Sequence, residues 1–307
     1  MKNLVTGGTG FLGSHLVDKL IERGEKVICI DNLSTGNINN ISHLLEHDSF
    51  EFIEHDVINP IKIACDRIWH LACPASPIQY QKNPINTTKI SFLGTYNMLG
   101  LALANKARFF FASTSEVYGD PEVSPQNEEY KGSVNTIGTR SCYDEGKRVA
   151  ESLCFDYLRM HNVEIRVARI FNTYGPRMAK DDGRVVSNFI CQSLLNKSIT
   201  VYGDGNQTRS FCYVDDLING FLKIMELNMT GPINLGNPNE ISIHELANKI
   251  KARINKNLNI IYNPLPEDDP KKRNPDISKA KKFLMWEPKT DIDLGLDLTI
   301  EYFSNVI

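Results

Sequence analysis

Tyr143 and Lys147 are four positions apart in the segment "SCYDEGKRVAE". On a helix this spacing places both side chains on one face, so the phenol and the ammonium group would be neighbours. A nearby ammonium favours the phenolate, and the pair therefore predicts a tyrosine of lowered pKa that abstracts a proton. The spacing alone is weak evidence, because tyrosine and lysine share helix faces in many proteins.

A second reactive cluster, Ser113 to Glu116, follows the apolar run "RFFFA". It contains three hydroxyl residues and then a carboxylate, Glu116, at the end of a predicted buried strand. A charge at that position is a candidate for work on a substrate. The alternative is a strand-end turn in which Glu116 is solvated or acts as a cap.

The glycine-rich stretch "LVTGGTGFLGSHL" places Gly7, Gly10 and Gly13 between a strand and a helix. Glycines allow a tight turn and a close approach of backbone N–H groups to a pyrophosphate, at the positive end of the helix. Asp31 ends "VICID", where an acid can accept hydrogen bonds from an adenosine ribose. Because Asp31 would repel a 2′-phosphate, we expect NAD rather than NADP. The alternative is a glycine turn capped by Asp31.

These residues need elements to position them, and the sequence supplies strands in alternation with helices. Six apolar runs read as strands, and they are "KNLVT", "KVICI", "FEFIEHD", "RIWHLA", "ARFFFAS" and "VEIRVARI". Amphipathic segments such as "GSHLVDKLIERG" lie between them. This order predicts an α/β fold of the Rossmann type, a doubly wound parallel sheet with helices on both faces.

After "NTYGPRM" the pattern loosens, which predicts a smaller mixed α/β lobe that binds substrate. The helix "VDDLINGFLKIME" could return to the main sheet. The predicted NAD-binding domain is therefore 1–171 with about 209–237, and the predicted lobe is about 172–208 and 238–307. The charge run at 267–276 reads as a solvated loop.

The composition is that of an ordinary globular protein with a hydrophobic core. The chain has 307 residues, is 41% hydrophobic and 23% charged, and carries a formal net charge of −3. This charge argues against nucleic acid or an acidic membrane as the main partner, and no apolar stretch is long enough to span a bilayer. The seven cysteines form no CxxC pair, and no signal peptide is evident, so we expect reduced thiols, a cytoplasmic location and no metal centre.

Several motifs together resemble the extended short-chain dehydrogenases that modify nucleotide sugars. They are the glycine turn, Ser113 to Gly119 and the Tyr143/Lys147 pair. The segments "HLACPASP", "RSCYDEGKR", "RIFNTYGPRM", "DDGRVVSNF", "VYGDGNQTRSF" and "PDISKAKKFLMWEPK" extend the resemblance over the whole chain. They are similar to those family members that remove carbon dioxide from UDP-glucuronate.

The resemblance implies a reaction that begins with oxidation at C4 of the sugar by NAD, with Tyr143 taking the hydroxyl proton. The resulting ketone is β to the C6 carboxylate and can accept the electrons left by departing carbon dioxide. Protonation at C5 and return of the hydride then give UDP-xylose. Ser115 stands where a 4,6-dehydratase typically has an aspartate, which argues against elimination of water.

The resemblance also implies roles for individual residues. Its catalytic set is Tyr143, Lys147, Thr114, Ser115, Glu116 and Arg273, with Arg273 guiding the sugar carboxylate. Its cofactor-binding set is Gly7, Gly10, Phe11, Leu12, Gly13, Asp31, Asn32, Thr35, Gly36, Asp56, Val57, Leu71, Lys89, Tyr143 and Lys147. Its substrate-binding set is Tyr80, Asn172, Arg184, Val185, Tyr202, Gln207, Arg209 and Arg273.

Other functions stay open at this point. One alternative releases the UDP-4-keto-pentose and NADH; others are a UDP-sugar 4-epimerase, a 4,6-dehydratase or a non-catalytic NAD sensor. The resemblance further implies a homodimer, formed through the helices around 88–105 and 142–160.

Overall fold

The main sheet of the computed structural model, which describes residues 1–265 and 273–307, consists of seven parallel strands. In chain order these strands are β1 (Lys2–Thr6), β2 (Lys26–Asp31), β3 (Phe50–Glu54), β4 (Arg67–His70), β5 (Arg108–Thr114), β6 (Ile165–Ile170) and β11 (Ile233–Leu235). They lie in the order β11-β6-β5-β4-β1-β2-β3, so the winding reverses between β1 and β4. The predicted doubly wound parallel sheet is confirmed.

Helices cover both faces of this sheet. The α-helices are α1 (Phe11–Glu22), α2 (Pro77–Lys82), α3 (Pro84–Lys89), α4 (Thr95–Asn105), α5 (Ser141–His161), α6 (Val185–Leu194), α7 (Val214–Glu226), α8 (Ile243–Ile254) and α9 (Ile292–Val306). Shorter turns are the 3₁₀ segments Ile38–Asn40, Ser42–Leu44 and Ser115–Tyr118 and the π-helical segments Ile90–Gly94 and Ala280–Leu284. None of the helices in the described ranges is both long and apolar enough to cross a bilayer.

Neighbouring residues on the central strands point to opposite faces, as the pleat requires. Leu4 and Phe109 pack in one buried cluster, whereas Val5 and Phe110 pack in another. Phe110 lies 4.8 Å from Phe221 of α7, measured between ring centroids. Continuous apolar strands are therefore explained by burial on both sides of the sheet.

Among residues 1–265 and 273–307, three short sheets lie outside the main one. Their strands are β7 (Thr173–Tyr174), β8 (Ile199–Tyr202), β9 (Thr208–Ser210), β10 (Cys212–Tyr213), β12 (Glu240–Ser242) and β13 (Ile260–Asn263). β8 pairs with β13 and β7 with β10, both parallel, and β9 pairs with β12 antiparallel. β8, β12 and β13 lie in the ranges predicted for the smaller lobe, whereas β10 lies in the range predicted for the NAD-binding domain.

The chain crosses between the two regions more than once. After α7 it enters the main sheet as β11, beside β6. Trp286 is buried and donates its indole N–H to the backbone carbonyl of Asp216 in α7, at 2.9 Å. The C-terminal third is therefore anchored to the main sheet and reaches the second lobe again through α9.

Candidate active site

A cavity of about 1440 Å³ runs along the carboxyl ends of the main strands and into the second lobe. Every predicted site residue except Lys89 lines it. Lys89 is exposed at the end of α3, while the next residue, Ile90, faces the cavity. The structure therefore does not bring Lys89 to the site, because it lies on the outer face of its helix.

The glycine turn brings backbone very close to the cavity. Gly7 has a φ of 70°, which favours glycine, and it donates its N–H to the carbonyl of Ile30 at 2.9 Å. A Cβ atom on Gly13 would stand 2.1 Å from the Gly7 carbonyl oxygen. Only hydrogen fits there, so α1 can begin directly at the turn and aim its N-terminal end at the cavity.

Asp31 ends β2 at the cavity wall, and the backbone holds its carboxylate in place. Its two oxygens accept hydrogen bonds from the N–H groups of Thr9, at 3.1 Å, and Leu33, at 2.9 Å. Asn32 donates to the Asp56 carboxylate at 2.9 Å. The predicted ribose and adenine contacts thus lie together at one end of the cavity.

Tyr143 and Lys147 lie on α5, both are buried, and both face the cavity. The Lys147 ammonium donates to the Ala112 carbonyl at 2.9 Å and lies 5.9 Å from the centre of the Tyr143 ring. Tyr143 stacks on Tyr80, with 5.1 Å between centroids and an interplanar angle of 4°. The predicted helix face is therefore present.

The expected lowering of the Tyr143 pKa is wrong for this structure. Burial raises the pKa of Tyr143 above its ordinary value, and the nearby thiol of Cys73 adds to the rise. A hydrogen bond with Thr114 acts in the opposite direction but does not outweigh burial. Burial also lowers the pKa of Lys147. The four-residue spacing correctly predicted that Tyr143 and Lys147 lie near each other. It could not predict how far burial removes both side chains from water, and burial has the largest effect on the pKa of each.

Glu116 is a buried carboxylate with two arginine partners. It lies in the 3₁₀ turn after β5, where its N–H donates to the Thr114 hydroxyl at 3.2 Å. Its carboxylate accepts hydrogen bonds from Arg140 at 2.5 Å and from Arg273 at 2.8 Å. Burial alone would raise the pKa of Glu116, but Arg273 and Arg140 hold this pKa below its ordinary value.

Arg273 also links the two lobes. Its second nitrogen donates to the Asn172 side-chain oxygen at 3.2 Å. Arg209, on β9, is buried and contributes further positive charge near Glu116. The predicted carboxylate guide thus lies beside Glu116, in an electropositive part of the cavity.

The remaining predicted substrate contacts line the cavity within the second lobe. Gln207 donates to the backbone carbonyl of Tyr202 at 2.5 Å. Val185 is the first residue of α6, and Arg184 precedes it. Arg184 pairs with Asp182 and lies over the ring of Phe11, at 5.6 Å, so it faces the glycine helix as much as the lobe.

The chain is similar to known proteins over nearly its whole length. The family model described as GDP-mannose 4,6 dehydratase matches residues 4–299. UDP-glucuronic acid decarboxylase 3 of Arabidopsis thaliana is 57% identical over 304 residues, which cover 99% of this chain and 89% of the relative. UDP-glucuronic acid decarboxylase 1 of Danio rerio is 55% identical over 301 residues, covering 98% of this chain and 72% of the relative. The chain belongs to the UDP-glucuronic acid decarboxylase family.

Solved structures related to this decarboxylase family share the whole fold. A UDP-glucose 4-epimerase of Thermotoga maritima, solved with UDP-glucose, has a TM-score of 0.91 at 30% identity and covers 100% of this chain and 99% of that chain. A UDP-glucuronic acid 4-epimerase of Bacillus cereus, solved with UDP-glucuronic acid and NAD, has a TM-score of 0.91 at 29% identity, with 100% of both chains covered. Fold and reaction are therefore separate questions, and side chains must decide the second.

Sequence reasoning missed two charged residues of this decarboxylase site, Arg140 and Asp144. Arg140 precedes α5 and contacts Glu116, which is 24 positions away. Asp144 is buried 3.7 Å from Arg140; burial and the charge of Glu116 raise its pKa to about 7. Both lie within "RSCYDEGKR", but a charged residue at a helix start usually reads as solvated.

Proposed function

We propose that the chain converts UDP-glucuronate to UDP-xylose and carbon dioxide, using NAD that is reduced and reoxidised within one catalytic cycle. The observation that carries this proposal is the ionised Glu116 held by Arg140 and Arg273 at the same end of the cavity as Tyr143. This arrangement supplies guanidinium groups for a sugar carboxylate next to a group that takes a hydroxyl proton. The high identity to UDP-glucuronic acid decarboxylases supports the same reaction.

The residues at the other end of the cavity fit NAD. Gly7 and Gly13 allow a tight turn and close packing of α1 where any side chain would collide with backbone, so that backbone N–H groups can approach a pyrophosphate. Asp31, fixed by two backbone N–H groups, presents oxygen to a ribose diol and repels a 2′-phosphate. When bound, NAD supplies an acceptor for the C4 hydride, and this makes the sugar a β-keto acid.

Tyr143 is the group proposed to take the C4 hydroxyl proton. Thr114 hydrogen-bonds it and lowers its pKa, which opposes the rise caused by burial and favours the phenolate, the form that can accept a proton. Lys147 is fixed by the Ala112 carbonyl and lies on the same helix face. Tyr80, stacked on Tyr143, limits the positions the phenol can adopt.

Decarboxylation then needs no group that expels a hydroxyl. Position 115 carries a serine, whose hydroxyl is buried beside Glu116, rather than a second carboxylate. Arg273 orients the carboxylate, and the ionised Glu116 orders a water near C5 through which a solvent proton reaches C5 after carbon dioxide leaves. The proton taken at C4 and the hydride are both returned, so the overall reaction consumes no reductant.

A 4-epimerase is the second candidate, because the Bacillus cereus structure shows that this fold also serves a UDP-glucuronic acid 4-epimerase. The deciding experiment supplies UDP-glucuronate to the pure protein with NAD and no reductant. Release of carbon dioxide with UDP-xylose in equal amounts supports the proposal. A rise in NADH absorbance with a UDP-4-keto-pentose indicates the oxidative alternative, and UDP-galacturonate without carbon dioxide indicates epimerisation.

We also propose a homodimer and a cytoplasmic location. Five apolar side chains of α4, α5 and the π-helical segment before α4 are between 39% and 75% exposed, which suits burial against a second copy. They are Phe92, Tyr96, Leu103, Val149 and Met160. All seven cysteines are free thiols, as a reducing compartment favours. Fractionation of the producing cells with an antibody to the protein tests the location.

A further inference from the structure

The carboxylate of Glu116 has two guanidinium partners, and they differ in how they are held. One oxygen of Glu116 accepts from both Arg140, at 2.5 Å, and Arg273, at 2.8 Å. Arg140 also lies 3.7 Å from the Asp144 carboxylate, one helical turn along α5. Asp144 is buried and does not line the cavity, whereas Glu116 does. Arg140 therefore lies between one carboxylate that faces the cavity and one that is buried behind it.

Arg273 has a different second contact. Its other nitrogen donates to the neutral side-chain oxygen of Asn172, at 3.2 Å, and both side chains line the cavity. Breaking the Arg273–Glu116 pair would leave Arg140 on Glu116, so the buried carboxylate would keep a cation. Arg140 also lines the cavity, but breaking its pair with Glu116 would in addition separate Arg140 from the buried Asp144 carboxylate.

We propose that Arg140 is the permanent partner of Glu116, whereas Arg273 is an exchangeable partner that leaves Glu116 to bind the carboxylate of the incoming sugar. Arg140 is then a positioning residue that keeps Glu116 ionised and aimed at the substrate throughout the reaction. The inference rests on the proposed function, because the exchange needs an acidic sugar. An acidic substrate can therefore pair with the guanidinium of Arg273, which is already in the site, while Arg140 stays paired with Glu116.

Other charged groups near Glu116 also affect its titration. They come from three parts of the chain besides Arg140 and Arg273, and they are Asp144 and Tyr143 on α5, Tyr80 on α2 and Arg209 on β9. Asp144, Tyr143 and Tyr80 are each affected by the negative charge of Glu116, so the cluster titrates together. The test therefore compares variants rather than absolute pKa values.

The test measures pH profiles of two kinetic constants for carbon dioxide release. kcat/KM reports ionisations of the free enzyme and kcat those of the substrate complex. Arg140→Gln is expected to raise the acid-limb pKa by about one to three pH units in both profiles, with activity recovered at higher pH. Arg273→Gln is expected to raise it in kcat/KM but not in kcat, because Arg273 has already left Glu116 in the complex.

Two further variants separate this role from a structural one. Arg140→Lys keeps the charge and is expected to keep a profile near that of the wild type. Arg159→Gln changes an exposed arginine on the same helix, paired with Asp156, and is expected to change neither profile. A second readout needs no turnover: the infrared band of the Glu116 carboxylic acid, identified as the band that is lost when Glu116→Gln is added, is expected to appear at a higher pH in Arg140→Gln than in the wild type.

Uniform loss of activity in Arg140→Gln with an unshifted profile would overturn the positioning role. Equal shifts for Arg273→Gln in both profiles would overturn the exchange, and this second comparison stands even if Arg140→Gln does not fold. Failure of the proposed function looks different, since the wild type itself would then release no carbon dioxide from UDP-glucuronate.

Discussion

Glu116 is a residue at which burial and charge act in opposite directions. Burial opposes its ionisation, yet Arg273 and Arg140 keep its pKa low, so it stays charged although it is buried. Replacing Glu116 by Gln is expected to lower kcat for carbon dioxide release by about 10²-fold, the lower end of what a positioned acid or base contributes. Stopped-flow assay of carbon dioxide release measures this.

The control for that prediction is Glu129→Gln. Glu129 is exposed and pairs with Lys279 at 2.7 Å, away from the cavity, so its removal should leave kcat unchanged. A Glu116→Gln enzyme with near-normal turnover would remove Glu116 from the chemistry.

At the scale of elements, the first helix depends on the absence of a side chain at Gly13. A Cβ there would stand 2.1 Å from the Gly7 carbonyl oxygen, so Gly13→Ala must displace α1 or the turn. We expect loss of NAD binding by about tenfold or more, measured by calorimetry, together with a lower melting temperature.

The matched control is another glycine inside a helix, Gly100 of α4. A Cβ at Gly100 meets nothing within 4 Å in this chain and lies far from the turn in sequence, so Gly100→Ala should leave NAD binding unchanged. Equal NAD affinity in both variants would show that the turn tolerates displacement.

His70 connects three elements below the site. The Thr6 hydroxyl on β1 accepts from two backbone N–H groups, at 3.1 Å each, so its own hydrogen points to the His70 ring nitrogen at 2.8 Å. The other ring nitrogen lies 3.2 Å from the Thr95 hydroxyl of α4. Burial lowers the pKa of His70 to about 3, and the charge of Lys147 adds to this. His70 is therefore neutral in the folded chain.

This neutral histidine predicts a specific acid sensitivity. Between an unfolded pKa of about 6.5 and the folded value, the unfolded chain binds a proton that the folded chain does not. The free energy of unfolding should therefore fall as pH is lowered from about 6.5, by up to about 1.4 kcal/mol per pH unit from this residue. Urea unfolding at pH 7, 6 and 5 should show a shallower pH dependence in His70→Gln; an unchanged slope would contradict the assignment.

At the scale of the whole molecule, the exposed apolar face of α4 and α5 predicts association. Tyr96 is half-exposed and meets Tyr157 edge-on, with 6.3 Å between ring centroids, so the two helices present neighbouring aromatic rings. Sedimentation should give a dimer for the wild type and a monomer for the double variant Tyr96→Glu, Met160→Glu. A wild-type monomer that is stable and active would contradict the dimer.

The sequence predicted those features that depend on neighbouring residues. The glycine turn, the strands and the Tyr143/Lys147 face follow from local patterns, and the parallel sheet follows from their order. It could not show that Arg140 and Arg273 meet on Glu116, because these contacts join positions 24 and 157 apart. The raised pKa of Tyr143 and the outward position of Lys89 depend on packing and helix rotation, which no local pattern specifies.

The most direct test of the account follows one hydrogen atom through the reaction. UDP-glucuronate labelled with deuterium at C4 is given to the enzyme in ordinary water, and the products are examined by NMR and mass spectrometry. The account predicts UDP-xylose that keeps the deuterium at C4 and gains one solvent hydrogen at C5, with one carbon dioxide per sugar. Loss of the C4 deuterium to water, or recovery of intact UDP-glucuronate, would contradict it.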